Sequence, residues 1–189
     1  MEWLSGGDLR SDGVATEVAD IVLGNPQLID ELYAGLSVPD DVVRGRAADA
    51  LEKISRSAPE LIENHLGEII DIAMHDDVAM VRWHLAMILG HLALDRSRID
   101  SITSTLLLLL DDKSVFTKSW AIVSLCIVAR KFPEKQEAVL EGVAQLKGDE
   151  SIAIRSKVGN AQKLLLNDKA PFPKGWIKSV HHAYLESNP

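Results

Sequence analysis

Apolar residues recur along this chain at spacings of three and four, the period that places them on one face of an α-helix. Three stretches carry it: Val43, Ala47, Leu51 and Ile54; Val81, Leu85, Leu89 and Leu92; Ala121, Leu125 and Val128. A short phrase ending in a cation heads each stretch, namely Val43-Arg44, Val81-Arg82 and Thr117-Lys118, and Ile154-Arg155 continues the series. The phrases stand 38, 36 and 37 residues apart, the period of stacked helix pairs. An acidic turn precedes each one: Asp40-Asp41, Asp76-Asp77, Asp111-Asp112 and Asp149-Glu150. Carboxylates suit that place, because they accept from the free N–H groups of a helix start and meet the positive end of its dipole.

A second, shorter Leu-rich helix fits each interval. Pro26, Pro59 and Pro133 mark its start, where a missing N–H is harmless, and Arg96 stands at the equivalent place in the middle interval. Pro26-Gln27-Leu28-Ile29-Asp30 and Pro59-Glu60-Leu61-Ile62-Glu63 are nearly one phrase repeated. An acidic turn, Val-Arg, an Ala/Leu helix, a Pro turn and a second helix together resemble the HEAT-repeat (armadillo-like helical) family, over about Leu9 to Asn167. The resemblance implies an all-α, right-handed solenoid, an α-α superhelix of about four helix pairs with capping helices at its ends. It places inner, concave-face helices near 41–57, 77–94, 114–131 and 150–167. Outer helices then fall near 26–36, 60–75, 97–110 and 134–147. Thr117-Lys118 departs from Val-Arg but keeps the cation.

Such pairs have apolar surface on two sides, so the stack needs covers. A helix near 13–24, with Val14, Val18, Ile21 and Val22 inward, serves at the start. Ala170-Pro171-Phe172-Pro173 ends the repeats. The expected division is therefore a solenoid over 1–170 and a capping helix over 171–189, with Trp176, Ile177, Val180 and Tyr184 packed on the last repeat.

Composition narrows the picture. With 47% apolar and 25% charged residues the chain has a soluble, globular profile. The single cysteine, Cys126, lies in an apolar run and can form no internal disulfide, which suits a cytoplasmic protein. The N-terminus shows neither the basic segment nor the apolar core of an export signal, and no apolar run approaches a membrane span. No nucleophile motif, phosphate loop or metal-ligand spacing occurs, so neither enzyme nor cofactor is expected.

Charge is unevenly shared. Residues 1–112 hold 8 Lys and Arg against 21 Asp and Glu, whereas residues 113–189 hold 12 against 7. The expected inner helices carry Arg44, Arg46, Lys53, Arg56, Arg82, Arg130, Lys131, Arg155, Lys157 and Lys163. That arrangement reads as a basic groove on the concave face. Its candidate binding residues are Arg44, Arg82, Trp83, Lys118, Trp120 and Arg155, with Trp83 exposed beside Arg82 and Trp120 packed between repeats. The same cations also fit an inter-repeat ladder with Asp76, Asp112 and Asp149. The expected function is non-catalytic protein binding, with an acidic or extended segment of another protein as partner. The alternative is nucleic-acid binding, by resemblance to HEAT-like DNA glycosylases, against which the net charge of −8 weighs.

Overall fold

A computed structural model describes residues 4–6, 8–9 and 13–186. It is all-helical, with no strand among the described residues. Among the described residues nine α-helices follow one another: α1 (Ala15–Gly24), α2 (Ile29–Ala34), α3 (Asp41–Ser55), α4 (Leu66–His75), α5 (Ala79–His91), α6 (Ile99–Leu108), α7 (Val115–Lys131), α8 (Gln136–Gln145) and α9 (Ile152–Leu165). The odd-numbered helices pack side by side in chain order as one layer. Each even-numbered helix from α2 onward packs on the odd-numbered helix that follows it.

The core lies between and within these layers. Leu51, Ile54, Leu85, Leu89, Leu125 and Val128, on the predicted stripes, are fully buried, and Ile62, Ile69, Ile102 and Leu106 meet them from the other layer. Contact between α5 and α7 is close because Gly90 has no side chain. A Cβ there would stand 2.4 Å from the Ser124 hydroxyl, which donates to the Ala86 carbonyl at 2.7 Å.

Every even-numbered helix enters through a 3-10 turn, at Pro26–Leu28, Pro59–Leu61, Arg96–Arg98 and Pro133–Lys135. Proline fixes φ and removes an N–H that would have no partner there. Arg96 offers neither, and Asp95 takes over the task by accepting from the Ser97 N–H at 3.2 Å and the Ser97 hydroxyl at 2.7 Å. The segment predicted as one helix over 60–75 contains a further 3-10 turn, Glu63–His65, and becomes α-helical only at Leu66.

Two expectations need correction. In α1 the buried residues are Ala15, Ala19 and Val22, with Val18 against the core, while Val14 and Ile21 are exposed. The helix presents its small residues to α3, so the inward stripe is rotated from the one predicted. The C-terminal segment is not an amphipathic helix on the last repeat. Pro171, Pro173 and Gly175, which takes φ 82°, keep it extended until a 3-10 helix at Val180–Glu186. It runs back toward the first repeats, where the Val180 N–H donates to the Arg56 carbonyl at 2.9 Å. His181 Nε2 lies 3.2 Å from the Ser57 carbonyl. Trp176, Ile177, His182 and Leu185 are buried, but Val180 and Tyr184 face solvent. The exposed residues of α9 include Ala153, Ser156, Asn160 and Lys163, with Ile152 and Leu166 open to solvent at its two ends.

Candidate functional site

The recurring cations sit one turn inside their helices, and the first three lie within reach of the acidic turn of the next repeat. Arg44 Nε is 3.0 Å from Asp76 Oδ2, Arg82 Nε is 2.6 Å from Asp112 Oδ2, and Lys118 Nζ bonds Asp149 Oδ2. The other oxygen of each aspartate accepts an N–H two residues on: Val78 at 2.7 Å, Ser114 at 2.6 Å and Ser151 at 2.8 Å. One carboxylate thus opens its own helix and ties down the preceding one. Each arginine of the series also donates to its own turn, as Arg82 does to the Asp76 carbonyl at 2.6 Å. Burial opposes the charge on Arg44, yet Asp76, Asp41 and Asp77 outweigh it and raise its pKa. Hydrogen bonds from Lys118 and the Ser151 N–H hold Asp149 below the usual carboxylate range. Arg155 ends the series. It is exposed and donates to the Asp149 and Glu150 carbonyls at 2.6 and 3.0 Å, with no further repeat to supply a carboxylate.

Most other cations of this layer are engaged as well. Arg46 is buried and donates to the Leu4 and Gly6 carbonyls at 2.9 and 2.6 Å. Lys53 pairs with Asp49, and Arg56 Nε reaches Glu52 Oε1 at 2.9 Å. Arg130 gathers the carbonyls of Leu164 and Asp168, each at 2.8 Å. Carboxylates therefore balance Arg44, Lys53, Arg56, Arg82 and Lys118, whereas backbone carbonyls hold the Arg46 and Arg130 side chains in place and leave their charge as it is. Charge counts do not tell the two cases apart.

The exposed feature of this layer is aromatic. Trp83 packs against the core on one side and against Phe116 on the other, with ring centres 4.9 Å apart and planes at 45°. Phe116 is 61% exposed. A cleft of about 390 Å³ opens beside them, lined by Leu9, Asp41, Asp77, Val78, Ala79, Met80 and Trp83. Trp120, one turn along α7 from Phe116, is half-buried and not enclosed between repeats as expected. Lys157 lies over its ring at 5.4 Å and over that of Trp176 at 5.4 Å. Burial lowers the Lys157 pKa. Phe116 was not among the sequence candidates, since it lies off the apolar stripe; its signal is an aromatic two positions before Lys118, in the first turn of α7.

At the other end of these helices Ser55, His91 and Glu52 stand in the order of a hydrolytic triad. His91 Nδ1 is 2.7 Å from Ser55 Oγ, and His91 Nε2 is 3.8 Å from Glu52 Oε1. The chemistry does not follow. All three are buried, and the Ser55 hydroxyl donates to the Glu52 carbonyl at 2.7 Å, which leaves no proton for a base to take. Burial lowers His91 to about 3 and outweighs Arg56 to raise Glu52. The trio holds helices together. Among the described residues no three His, Cys, Asp or Glu side chains are placed to hold a metal ion, and no helix is long and apolar enough to cross a membrane.

No protein-family model and no curated protein sequence matches the chain. Among solved structures it is similar to a crystallised engineered protein of the Northeast Structural Genomics Consortium. The two share a TM-score of 0.62 and 22% identity over 98% of this chain and 86% of that one. At that identity the likeness concerns the all-helical fold alone. The engineered neighbour indicates no enzyme family.

Proposed function

We propose that the chain is a short right-handed solenoid of the HEAT-repeat kind, acting as a non-catalytic protein-binding or scaffold module in the cytoplasm. The odd-numbered helices are its inner layer, and an extended segment of a partner protein lies across α5 and α7. One observation carries this reading: Phe116 stays exposed against Trp83 while the surrounding cations are satisfied internally. An aromatic pair beside a cleft is the kind of anchor on which interface energy concentrates. Acidic residues of the segment meet Arg155 on α9, the cation whose rung is open. The buried, free Cys126, its thiol pushed up to about 12 by burial, suits a reducing compartment.

The test is affinity capture of the tagged protein from its native cell extract, with and without nuclease, beside the Phe116→Ser variant. Retained proteins should survive nuclease and bind the variant at least about 30-fold more weakly, the scale of an interface hot spot. Far-UV circular dichroism should be unchanged. Partners that vanish with nuclease, or that bind both proteins equally, contradict the proposal.

A further inference from the structure

The first and last helices of the odd-numbered layer each leave one flank open. On α1 the outward stripe is Val14, Glu17, Ile21 and Gly24, all exposed and spaced by three and four. On α9 it is Ile152, Ser156, Lys163 and Leu166, with Gly159 among them at the same spacing. Ile152 and Leu166 are 75% and 74% exposed, the most open large apolar side chains among the described residues. A Cβ added at Gly24 or Gly159 would meet nothing within 4 Å, so both flanks leave room for another helix to come close.

The two flanks differ in shape and in charge, and the differences match. Beside Ile21 a cleft of about 180 Å³ opens between α1 and α2, with Leu4, Val18, Val22, Leu28 and Leu32 in its walls. Leu166, by contrast, stands out from the end of α9. Helix α1 carries Glu17 and Asp20 with no Lys or Arg, whereas α9 carries Arg155, Lys157 and Lys163 with no Asp or Glu. Among the described residues no ion pair engages Glu17, Asp20 or Lys163.

We infer that the two flanks form one interface, on which a second copy of this chain seats its α1 against α9 of the first, head to tail. The odd-numbered layer then runs on from copy to copy, and the acidic half of one meets the basic half of the other. The ladder keeps the helix starts level. Carried into the next copy, that register sets Ile152 beside Ala15 and Leu166 beside Ile29, next to Leu28 of the cleft wall. Leu166 of one copy fills the cleft of the other, a space close to the roughly 150 Å³ apolar cavity that takes up a benzene. Lys163 reaches the C-terminal half of the neighbour's α1, where Asp20 and the helix dipole favour a cation. Each copy uses one flank and offers the other, so association does not stop at a dimer. One helix flank per side is a small contact, which makes the association weak. Trp83 and Phe116 take no part in it, so it stands or falls separately from the function proposed above.

The experiment is sedimentation velocity from micromolar to millimolar protein at low ionic strength. The average mass of the wild type should rise with concentration past that of a dimer, and added salt should reduce the rise. Ile21→Arg and Leu166→Arg each spoil one flank at an exposed position, so folding is not at stake. Either alone should weaken association at least about tenfold. Mixed in equal amounts, the two variants should form a one-to-one dimer and stop there, because the mixture holds one intact flank of each kind. Phe116→Ser should associate as the wild type does. The inference is overturned if the wild type stays monomeric or stops at a dimer, or if either single variant associates as the wild type does. It is overturned also if the mixture stays monomeric, or if Phe116→Ser abolishes association.

Discussion

The two ends of α3, α5 and α7 are held by different kinds of chemistry. At their N-terminal ends a cation meets the aspartate of the next turn three times over, in side chains that water still reaches. At their C-terminal ends nothing repeats. Ser55 meets His91, Arg130 gathers carbonyls, and the segment 171–186 returns to seal the edge with His182 fully buried. Repetition gives every copy the same staple and so joins any repeat to any other. The one-off contacts have no such tolerance, so the dry edge fixes which helix sits where.

Acid should separate the two edges most strongly. Burial lowers His84, His91 and His182 to about 4, 3 and 4. Unfolding frees them to take up protons near pH 6.5. At these three histidines the unfolded chain binds more protons than the folded one between those values, so their contribution is complete above pH 6.5 and is lost as pH drops toward 4, while Glu52, raised by burial, acts in the opposite sense. Asp149 in the ladder, held below its usual range, gives up its share only in stronger acid. Thermal unfolding from pH 7 to 4 should therefore show a steep fall, and His182→Leu should reduce it.

Next in size is the returning segment. Trp176 is nearly buried and packs edge-on against Phe172 at 6.5 Å. Trp176→Ala should cost about 3 kcal/mol in urea unfolding; a loss near zero would mean that the segment merely rests on the helices. A ladder rung should be worth less. Arg82→Ala strands the largely buried Asp112 and should cost about 2 kcal/mol. Smallest is Arg155→Ala, expected within about 0.5 kcal/mol because no carboxylate closes that rung.

The same contrast explains what could be read in advance. The helices, their acidic entries and the proline turns follow from local spacing, and even Arg96 fell where a turn was required. The ladder was legible as one of two alternatives because its partners recur with the repeat. The return of 171–186 was not legible, since His181 meets a residue 124 positions away and no local pattern marks the pairing. Trp83, expected to be exposed, is half-buried, and Phe116 was missed because it lies off the apolar stripe. For the basic groove the limit is physical: net charge on a helix face does not tell which cations already have partners.

The account's central claim divides the candidate residues in two, with Arg82 and Lys118 holding the structure and Phe116 and Trp83 meeting the partner. The direct measurement is thermal unfolding and partner capture on the same two variants, Arg82→Gln/Lys118→Gln and Phe116→Ser. The account predicts a lowered melting temperature with capture preserved below it for the first, and an unchanged melting temperature with capture lost for the second. Unchanged stability with lost capture for the cation pair, and full capture by Phe116→Ser, would contradict it.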